Sequence, residues 1–215
     1  FGIKPLYWTM TSQGLVFGSE LKVLFAHPAV KRDFSSEGLF HQLMQTMVPG
    51  STAFAGIFQV QPGHVVKVQR EGGLLRTSGH KYWDLDFPKD HERDQSISEE
   101  QHINAIRRSL LEAIEMRLVA DVPVGCYLSG GIDSCSILGL AAAVNQTPVK
   151  AFTIGFDDSR YDETDIAKEM AEATGAEQDV MRLSGDDLYD HFETTLWHTE
   201  RTIYNTLGVA KYLMS

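Results

Sequence analysis

Cysteine is scarce in this chain: Cys126 and Cys135 are the only two among 215 residues. They make no disulfide framework and lack zinc-ligand spacing, and the simplest reading is a reduced, cytosolic protein. Long apolar runs are missing too. None approaches the ~18–20 residues of a membrane-spanning helix, and the opening Phe1-Gly2-Ile3-Lys4-Pro5 lacks the apolar stretch of a secretory signal. Positive charge is in deficit, with 19 Lys and Arg against 29 Asp and Glu and a net charge of −10. That argues against a nucleic-acid-binding role, which needs clustered Lys and Arg. It does not exclude a nucleotide, whose charge is met locally. The eight histidines are scattered without an HExxH pattern, so no zinc site is expected. No internal repeat is visible. What remains, 43% apolar and 22% charged residues, is a globular composition sufficient for a core of one or two domains.

Two regions with a polar join are expected: 1–82, a linker over 83–96, and 97–215. In the first, Leu6-Tyr7-Trp8 and Leu15-Val16-Phe17 flank the turn signal Gln13-Gly14 and predict a hairpin. Leu39, Phe40, Leu43, Met44 and Met47 recur at helical spacing and predict a helix from Ser36 to about Met47. A strand is expected over Val65–Val68. The region reads as mixed α+β, and both ends of the chain are expected to be cut from something longer. The join holds Pro88 and a charged run.

The second region reads as βαβαβα, hence a parallel sheet with helices on both faces. A long helix is expected from Ile97 to Val119, opened by Ser96 and Glu99 at capping-box spacing. Its apolar stripe is Ile103, Ile106, Leu110, Ile114 and Leu118. Strands follow at Val124–Leu128, Val149–Phe156 and Asp179–Leu183. Helices are expected at Ser134 to about Val144, at about Asp162 to Thr174 with Gly175 as the stop, and from about Ser184 with Asp187 helping to cap.

In open α/β sheets, ligands bind beyond the carboxyl ends of the strands. Leu128 is such an end, and Ser129-Gly130-Gly131-Ile132-Asp133-Ser134 runs from it into a helix. Consecutive glycines permit positive φ and leave the backbone N–H groups free to converge on an anion. The helix start adds unpaired N–H groups and the positive end of its dipole. Ser129 and Ser134 can donate to phosphate oxygens. Asp133 repels phosphate unless it holds Mg²⁺, which takes oxygen ligands and bridges to phosphates. No Lys follows the glycines, so this is no Walker A loop.

The segment resembles the pyrophosphate loop of the ATP pyrophosphatases, which split ATP into AMP and pyrophosphate. Met116 to Gly125 leading into the loop, Phe152-Thr153-Ile154-Gly155-Phe156, Trp197-His198-Thr199-Glu200 and Tyr212-Leu213-Met214-Ser215 are similar to blocks of the glutamine-hydrolysing asparagine synthetase family. Phe1 to Tyr7, Gly18-Ser19-Glu20-Leu21-Lys22, Pro62-Gly63 and Tyr82-Trp83-Asp84 resemble the end of that family's glutaminase domain. The resemblance implies the fold class α/β: a partial α+β glutaminase (N-terminal nucleophile) domain, then part of a parallel-sheet domain of the adenine-nucleotide α-hydrolase-like, ATP-pyrophosphatase type.

It further implies a ligase reaction in the parent protein. Ammonia from glutamine converts aspartate to asparagine through a β-aspartyl adenylate, with glutamine, aspartate and ATP as substrates and a homodimer as a possible assembly. Ser129, Gly130, Gly131 and Ser134 would hold the pyrophosphate portion of ATP, Asp133 would bind Mg²⁺, and the backbones of Leu128 and Ile154 would line the adenosine pocket. The family's nucleophilic Cys and its second glycine-rich, acidic loop are not found in this chain. No residue is therefore assigned a catalytic role, and the 215-residue chain is expected to be inactive alone and poorly soluble. Two other readings compete. One is adenylation of another carboxylate, as in β-lactam synthetases and lasso-peptide cyclases. The other is a non-catalytic remnant that binds nucleotide or a protein. His198 and Glu200 read as a helix end or a satisfied surface pair, against the alternative of a place near the substrate. Asp157, Asp158, Asp162 and Glu163 read as an acidic loop and helix start, or as ligands of ATP or Mg²⁺. Cys126 and Cys135 read as core.

Overall fold

The computed structural model describes residues 2–46, 48–92, 94–158, 160 and 162–215. Two compact units emerge, Phe1–Pro88 with Glu193–Asn205, and Lys89–Phe192 with Thr206–Ser215.

In the first unit, Tyr7–Thr11 (β1) and Gly14–Gly18 (β2) form the expected antiparallel hairpin. The helix Leu21–Phe25 (α1) follows at once. Five residues are too few for a period to show in the sequence, and none is expected there. Ser36–Leu43 (α2) is shorter than its apolar pattern suggests. Its chain turns out at Gln45, which has φ 56°, and Met47 lies outside the described residues. Ser35 caps the helix by accepting the Gly38 N–H. Phe58–Gln59 (β3) pairs with the free side of β1, giving the order β2-β1-β3. Tyr7, Leu21, Leu24 and Ile57 form the core of this unit, with Phe25 and Phe54 packed on it. The strand anticipated at Val65–Val68 extends over His64–Glu71 (β4) and returns as Leu74–Lys81 (β5). The return strand carries the polar run Thr77-Ser78-Gly79-His80, which hides it from a propensity reading.

The second unit opens with a single 3₁₀ turn at Asp90–Glu92 within the join. The long helix is Glu99–Leu118 (α3), and its capping box is not the expected one. Ser98 is the N-cap: its hydroxyl accepts the Gln101 N–H, and the Gln101 side chain accepts the Ser98 N–H. Ser96 is instead drawn back to Asp94, whose Oδ1 accepts from both its N–H and its hydroxyl. A short acid two residues upstream competes locally for the serine and wins. Ser98→Ala is therefore expected to lower the urea midpoint by the equivalent of about 1 kcal/mol, whereas Ser96→Ala leaves it unchanged. Of the apolar stripe, only Ile114 is buried; Ile103, Ile106 and Leu110 are exposed.

Gly125–Tyr127 (β6), Lys150–Phe156 (β7) and Glu177–Leu183 (β8) form a parallel sheet in that order. Between them run Ile132–Val144 (α4) and Thr164–Thr174 (α5). Gly175 ends α5 in the left-handed region at φ 65°, the expected stop. Leu128, Leu138, Ala141, Val149, Ala151, Ala167 and Ala171 form one buried cluster, with Cys126 and Cys135 packed beside it. Sheet and both crossover helices thus share a core. Gly185–Asp190 (α6) carries the expected cap at Ser184 and Asp187. Phe192–Thr199 (α7) follows, all but its first residue in the first unit.

Leu207–Met214 (α8) closes the chain in the second unit, with Val209 and Ala210 fully buried. Tyr127 alternates with Cys126 and Leu128 on its strand, so it faces away from the cluster that holds α4 and α5. Its hydroxyl lies 3.0 Å from Ser215 Oγ, just past α8. Helices therefore cover both faces, as the βαβαβα pattern implies. Among the described residues, no helix is long and apolar enough to cross a membrane.

Candidate functional site

The residues Leu128 to Ser134 stay together as one strand–loop–helix junction. Leu128 is buried, and its N–H donates to the Phe152 carbonyl at 2.8 Å. That bond ties the end of β6 to its neighbour and fixes where the loop leaves the sheet. Ile154 stands on β7, two residues beyond the Tyr127–Phe152 register pair, at the same strand end as the loop.

The helix begins earlier than its sequence suggests. Ile132, not Ser134, is its first residue, and Gly131 is the N-cap at φ −70°, ψ 154°. Only Gly130 uses the left-handed region, at φ +82°. Gly130 also meets a second constraint that no local pattern reveals. A Cβ built there would stand 3.2 Å from the Glu163 carbonyl oxygen, 3.2 Å from Ile166 Cβ and 3.4 Å from the Ala167 nitrogen. The loop is therefore seated against the first turn of α5. Gly131 faces open space apart from Ser129 Oγ at 3.5 Å.

Gly131 offers no side-chain cap to α4, so the N–H groups of Ile132, Asp133 and Ser134 have no intrahelical partner. The two serines bridge the loop. Ser134 Oγ accepts the Ser129 N–H at 3.2 Å, lies 3.1 Å from Ser129 Oγ and donates to the Gly131 carbonyl at 3.0 Å. Ser129 Oγ accepts the Gly131 N–H at 3.4 Å. Backbone donors and hydroxyls thus converge on one small volume at a helix start, an arrangement suited to an anion. Asp133 is exposed in the first turn of α4 and has no ion pair among the described residues.

The acidic residues after β7 are used otherwise. Asp158 pairs with Arg160 at 2.6 Å, and Arg160's hydrogen bond holds its carboxyl below the usual carboxylate range. Asp162 accepts the Thr164 N–H at the start of α5 and lies 3.5 Å from Arg182. Hydrogen bonding from Thr164, its side chain first, keeps the Asp162 carboxyl below its ordinary value. Glu163 is the N-cap residue of α5, and its carbonyl oxygen backs Gly130. Among the described residues, no three His, Cys, Asp or Glu gather as a metal site. The first unit holds a cleft of about 460 Å³, with His41, Gln42, Gln59 and Arg201 in its wall; no residue of the glycine loop lines it.

Glu200 has a role that sequence patterns do not disclose. Its carboxylate accepts the N–H groups of Leu21 at 2.5 Å and Lys22 at 2.7 Å. It is a satisfied group, as read from the sequence, but its partners lie at the opposite end of the chain.

Comparison with known proteins gives a consistent picture. The family model described as Asparagine synthase matches residues 105–215, and one described as Glutamine amidotransferase domain matches residues 1–83. The chain is 31% identical to "Amidase chry2" of Gibberella zeae and 33% identical to "Amidase chyE" of Penicillium rubens, each over 100% of its own length and 33% of theirs. It is 29% identical to "Asparagine synthetase [glutamine-hydrolyzing] 1" of Bacillus subtilis, again over 100% of the chain and 33% of that protein. The chain thus spans about a third of the length of these relatives.

Proposed function

The chain belongs to the asparagine synthase family, and we propose that, within a polypeptide of its relatives' length, it serves ATP-dependent amidation of aspartate to asparagine. Residues 1–82 would be the later part of a glutaminase domain that supplies ammonia, 83–96 a linker, and 97–215 the first part of the synthetase domain. The observation that carries this reading is the junction at Gly130: a left-handed glycine seated on α5, followed by an uncapped helix start with two serine hydroxyls turned into the same volume.

The aspartate side-chain carboxylate attacks the α-phosphorus of ATP, and the bond to the β-phosphate breaks. The leaving pyrophosphate is stabilised by the N–H groups of Ile132 to Ser134 and by the α4 dipole, donors already oriented before the reaction. Ser129 and Ser134 exchange their mutual hydrogen bond for bonds to phosphate oxygens. Ammonia then attacks the acyl carbon, AMP departs with the electrons of the broken C–O bond, and the proton shed by the attacking nitrogen passes to water. Asp133 fits Mg²⁺ arriving on the polyphosphate, because that ion needs one or two carboxylates and otherwise keeps phosphate oxygens and water. Held there by Asp133, Mg²⁺ would supply positive charge to offset that developing on the leaving group. The backbones of Leu128 and Ile154, at the same strand end, would flank the adenosine. The free thiols Cys126 and Cys135 are partly buried against the core.

The likeness to two fungal proteins called amidases favours a second reading, in which the acyl group is not aspartate. A panel of carboxylates tested for AMP release in the presence of ammonia separates the two. For the nucleotide site itself, Asp133→Ala should weaken Mg-ATP binding, measured by calorimetry, by about tenfold or more, the price of one charge-assisted ligand. Its effect on folding is small, below about 1 kcal/mol, because an exposed first-turn acid contributes only a dipole interaction. Unchanged Mg-ATP affinity would remove Asp133 from the site.

A further inference from the structure

Among the described residues, two other than glycine hold a left-handed backbone: Gln45 at φ 56° and Glu200 at φ 54°. Each stands just past a helix. Gln45 follows α2, where the Thr46 N–H donates to the His41 carbonyl at 2.8 Å, the closing bond of a Schellman-type stop. Glu200 follows α7, and its N–H donates to the Leu196 carbonyl at 2.9 Å. Glycine is the ordinary residue at such a stop, because it has no Cβ to crowd the backbone. Other residues held there carry strain, and strain of this kind gathers at ligand clamps and active sites. Glu200 shows one use for its side chain, since its carboxylate caps α1. The Gln45 amide makes no hydrogen bond among the described residues. Yet both residues line one cleft, that of about 460 Å³ in the first unit.

Every residue lining that cleft belongs to the first unit, and its volume falls within the ~300–1,000 Å³ usual for small-molecule sites. Its walls are fixed. The α2 wall packs so closely that a Cβ at Gly38 would stand 2.0 Å from the Thr52 carbonyl oxygen. Thr202 ties the facing wall to Gln42 twice, donating from its N–H to Oε1 and from its hydroxyl to the carbonyl. Three polar groups in these walls have capacity left. Arg201 carries five N–H donors. Its Nη2 reaches Gln59 Oε1 at 3.3 Å, and it has no ion pair among the described residues. The Gln45 amide and the Tyr204 hydroxyl are likewise unengaged among the described residues. The one carboxylate in the lining, Glu200, is already met by two N–H groups and lies 3.5 Å from Lys22 Nζ. A single positive charge is thus left to satisfy. A guanidinium fork matches a carboxylate in two parallel bonds. A phosphate, at roughly −1.5 to −2 near neutral pH, would bring excess charge beside Glu200. The amide and the phenol both donate and accept, which suits hydroxyl groups. We infer that this cleft binds a small hydroxylated monocarboxylate, its carboxylate on Arg201 and its hydroxyls on Gln45 and Tyr204. The site uses no residue of the glycine loop and does not depend on the amidation reading.

Gluconate is the probe, with glucitol as its uncharged counterpart and inorganic phosphate as the competing anion. Each is titrated into the ¹⁵N-labelled chain and followed by amide correlation spectra. Gluconate should give saturable shifts at Gln45, Thr46 and residues 201–204. Glucitol and phosphate should bind about tenfold or more weakly, for want of the charge-assisted bonds or of the hydroxyls. Arg201→Gln should weaken gluconate by about tenfold or more. Arg201→Lys, which keeps the charge and loses the fork, should fall between and serves if the first variant does not fold. Gln45→Gly separates binding from structure. It relieves the strained backbone and removes the amide, so the thermal midpoint should hold or rise while gluconate affinity falls by about threefold or more. A residue that merely stops α2 would leave that affinity unchanged. The inference is overturned by unchanged gluconate affinity in Gln45→Gly or in the Arg201 variants, or by glucitol or phosphate binding as tightly as gluconate. Absence of saturable shifts in the wild-type chain overturns it as well. None of these readouts involves ATP, so they stand or fall apart from the proposed amidation.

Discussion

Gly130→Val is expected to eliminate measurable Mg-ATP binding and to destabilise the second unit at the same time. Two independent costs combine. Valine at φ +82° is held in a backbone region that β-branched residues avoid, a strain of about 1–3 kcal/mol. Its Cβ must also enter space bounded at 3.2 Å by the Glu163 carbonyl oxygen and by Ile166 Cβ. The first of these is backbone and the second lies next to backbone, so neither can swing aside, and overpacking of this kind costs about 1–3 kcal/mol more. The relief available is a shift of the loop away from α5, which scatters the N–H groups of Ser129 to Ser134. Gly131→Ala is the informative partner. Its φ of −70° suits any residue, and only Ser129 Oγ approaches, so folding should change by less than about 0.5 kcal/mol. On the proposed reading Mg-ATP should nevertheless bind more weakly, because the added methyl would project into the open space assigned to phosphate. Calorimetry paired with thermal denaturation separates the two variants. Wild-type affinity in Gly130→Val would show that the loop is only a turn.

The contrast between these glycines marks the reach of sequence reading. That Ser129 to Ser134 forms a junction between strand and helix is legible, because an apolar strand, two glycines and a helix start lie side by side in the chain. That Gly130 alone is constrained, and by α5, depends on residues more than thirty positions away. The capping of α3 shows the same limit at shorter range. Ser96 and Ser98 are each followed three residues on by a residue able to complete a box, and Asp94 decides between them by engaging Ser96. The amphipathic stripe of α3 is plain in the sequence, but its period does not say that Ile114 is covered while Ile106 stays 61% exposed. Glu200 lies furthest beyond reach. Nothing near it announces a bond to Leu21 and Lys22, since the geometry arises only once both segments have folded.

Leu128→Ala should lower stability by about 2–5 kcal/mol, toward the upper part of that range. Leu128 is 1% exposed and packs among Leu138, Ala141, Val149, Ala151, Ala167 and Ala171. Four of those six neighbours are alanines on regular elements, which have no rotamers with which to fill a void. The cavity therefore persists, and its walls lose their dispersion contacts. The substitution also acts on the site, because Leu128 is the residue from which the loop departs. With its side chain gone, the N–H bond to the Phe152 carbonyl alone anchors the end of β6. Mg-ATP affinity should fall even at temperatures where the chain is fully folded. Tyr127→Phe provides the control on the opposite face. Tyr127 is 54% exposed, and losing its hydroxyl contact with Ser215 should cost no more than about 0.5 kcal/mol. Urea titrations of the two variants read this directly. A large shift in midpoint at constant m for Leu128→Ala, against almost none for Tyr127→Phe, places the stabilising burial on the α4–α5 side of the sheet. Equal shifts would mean that the α8 side carries as much of the core, and would move the anchor of the glycine loop to that face.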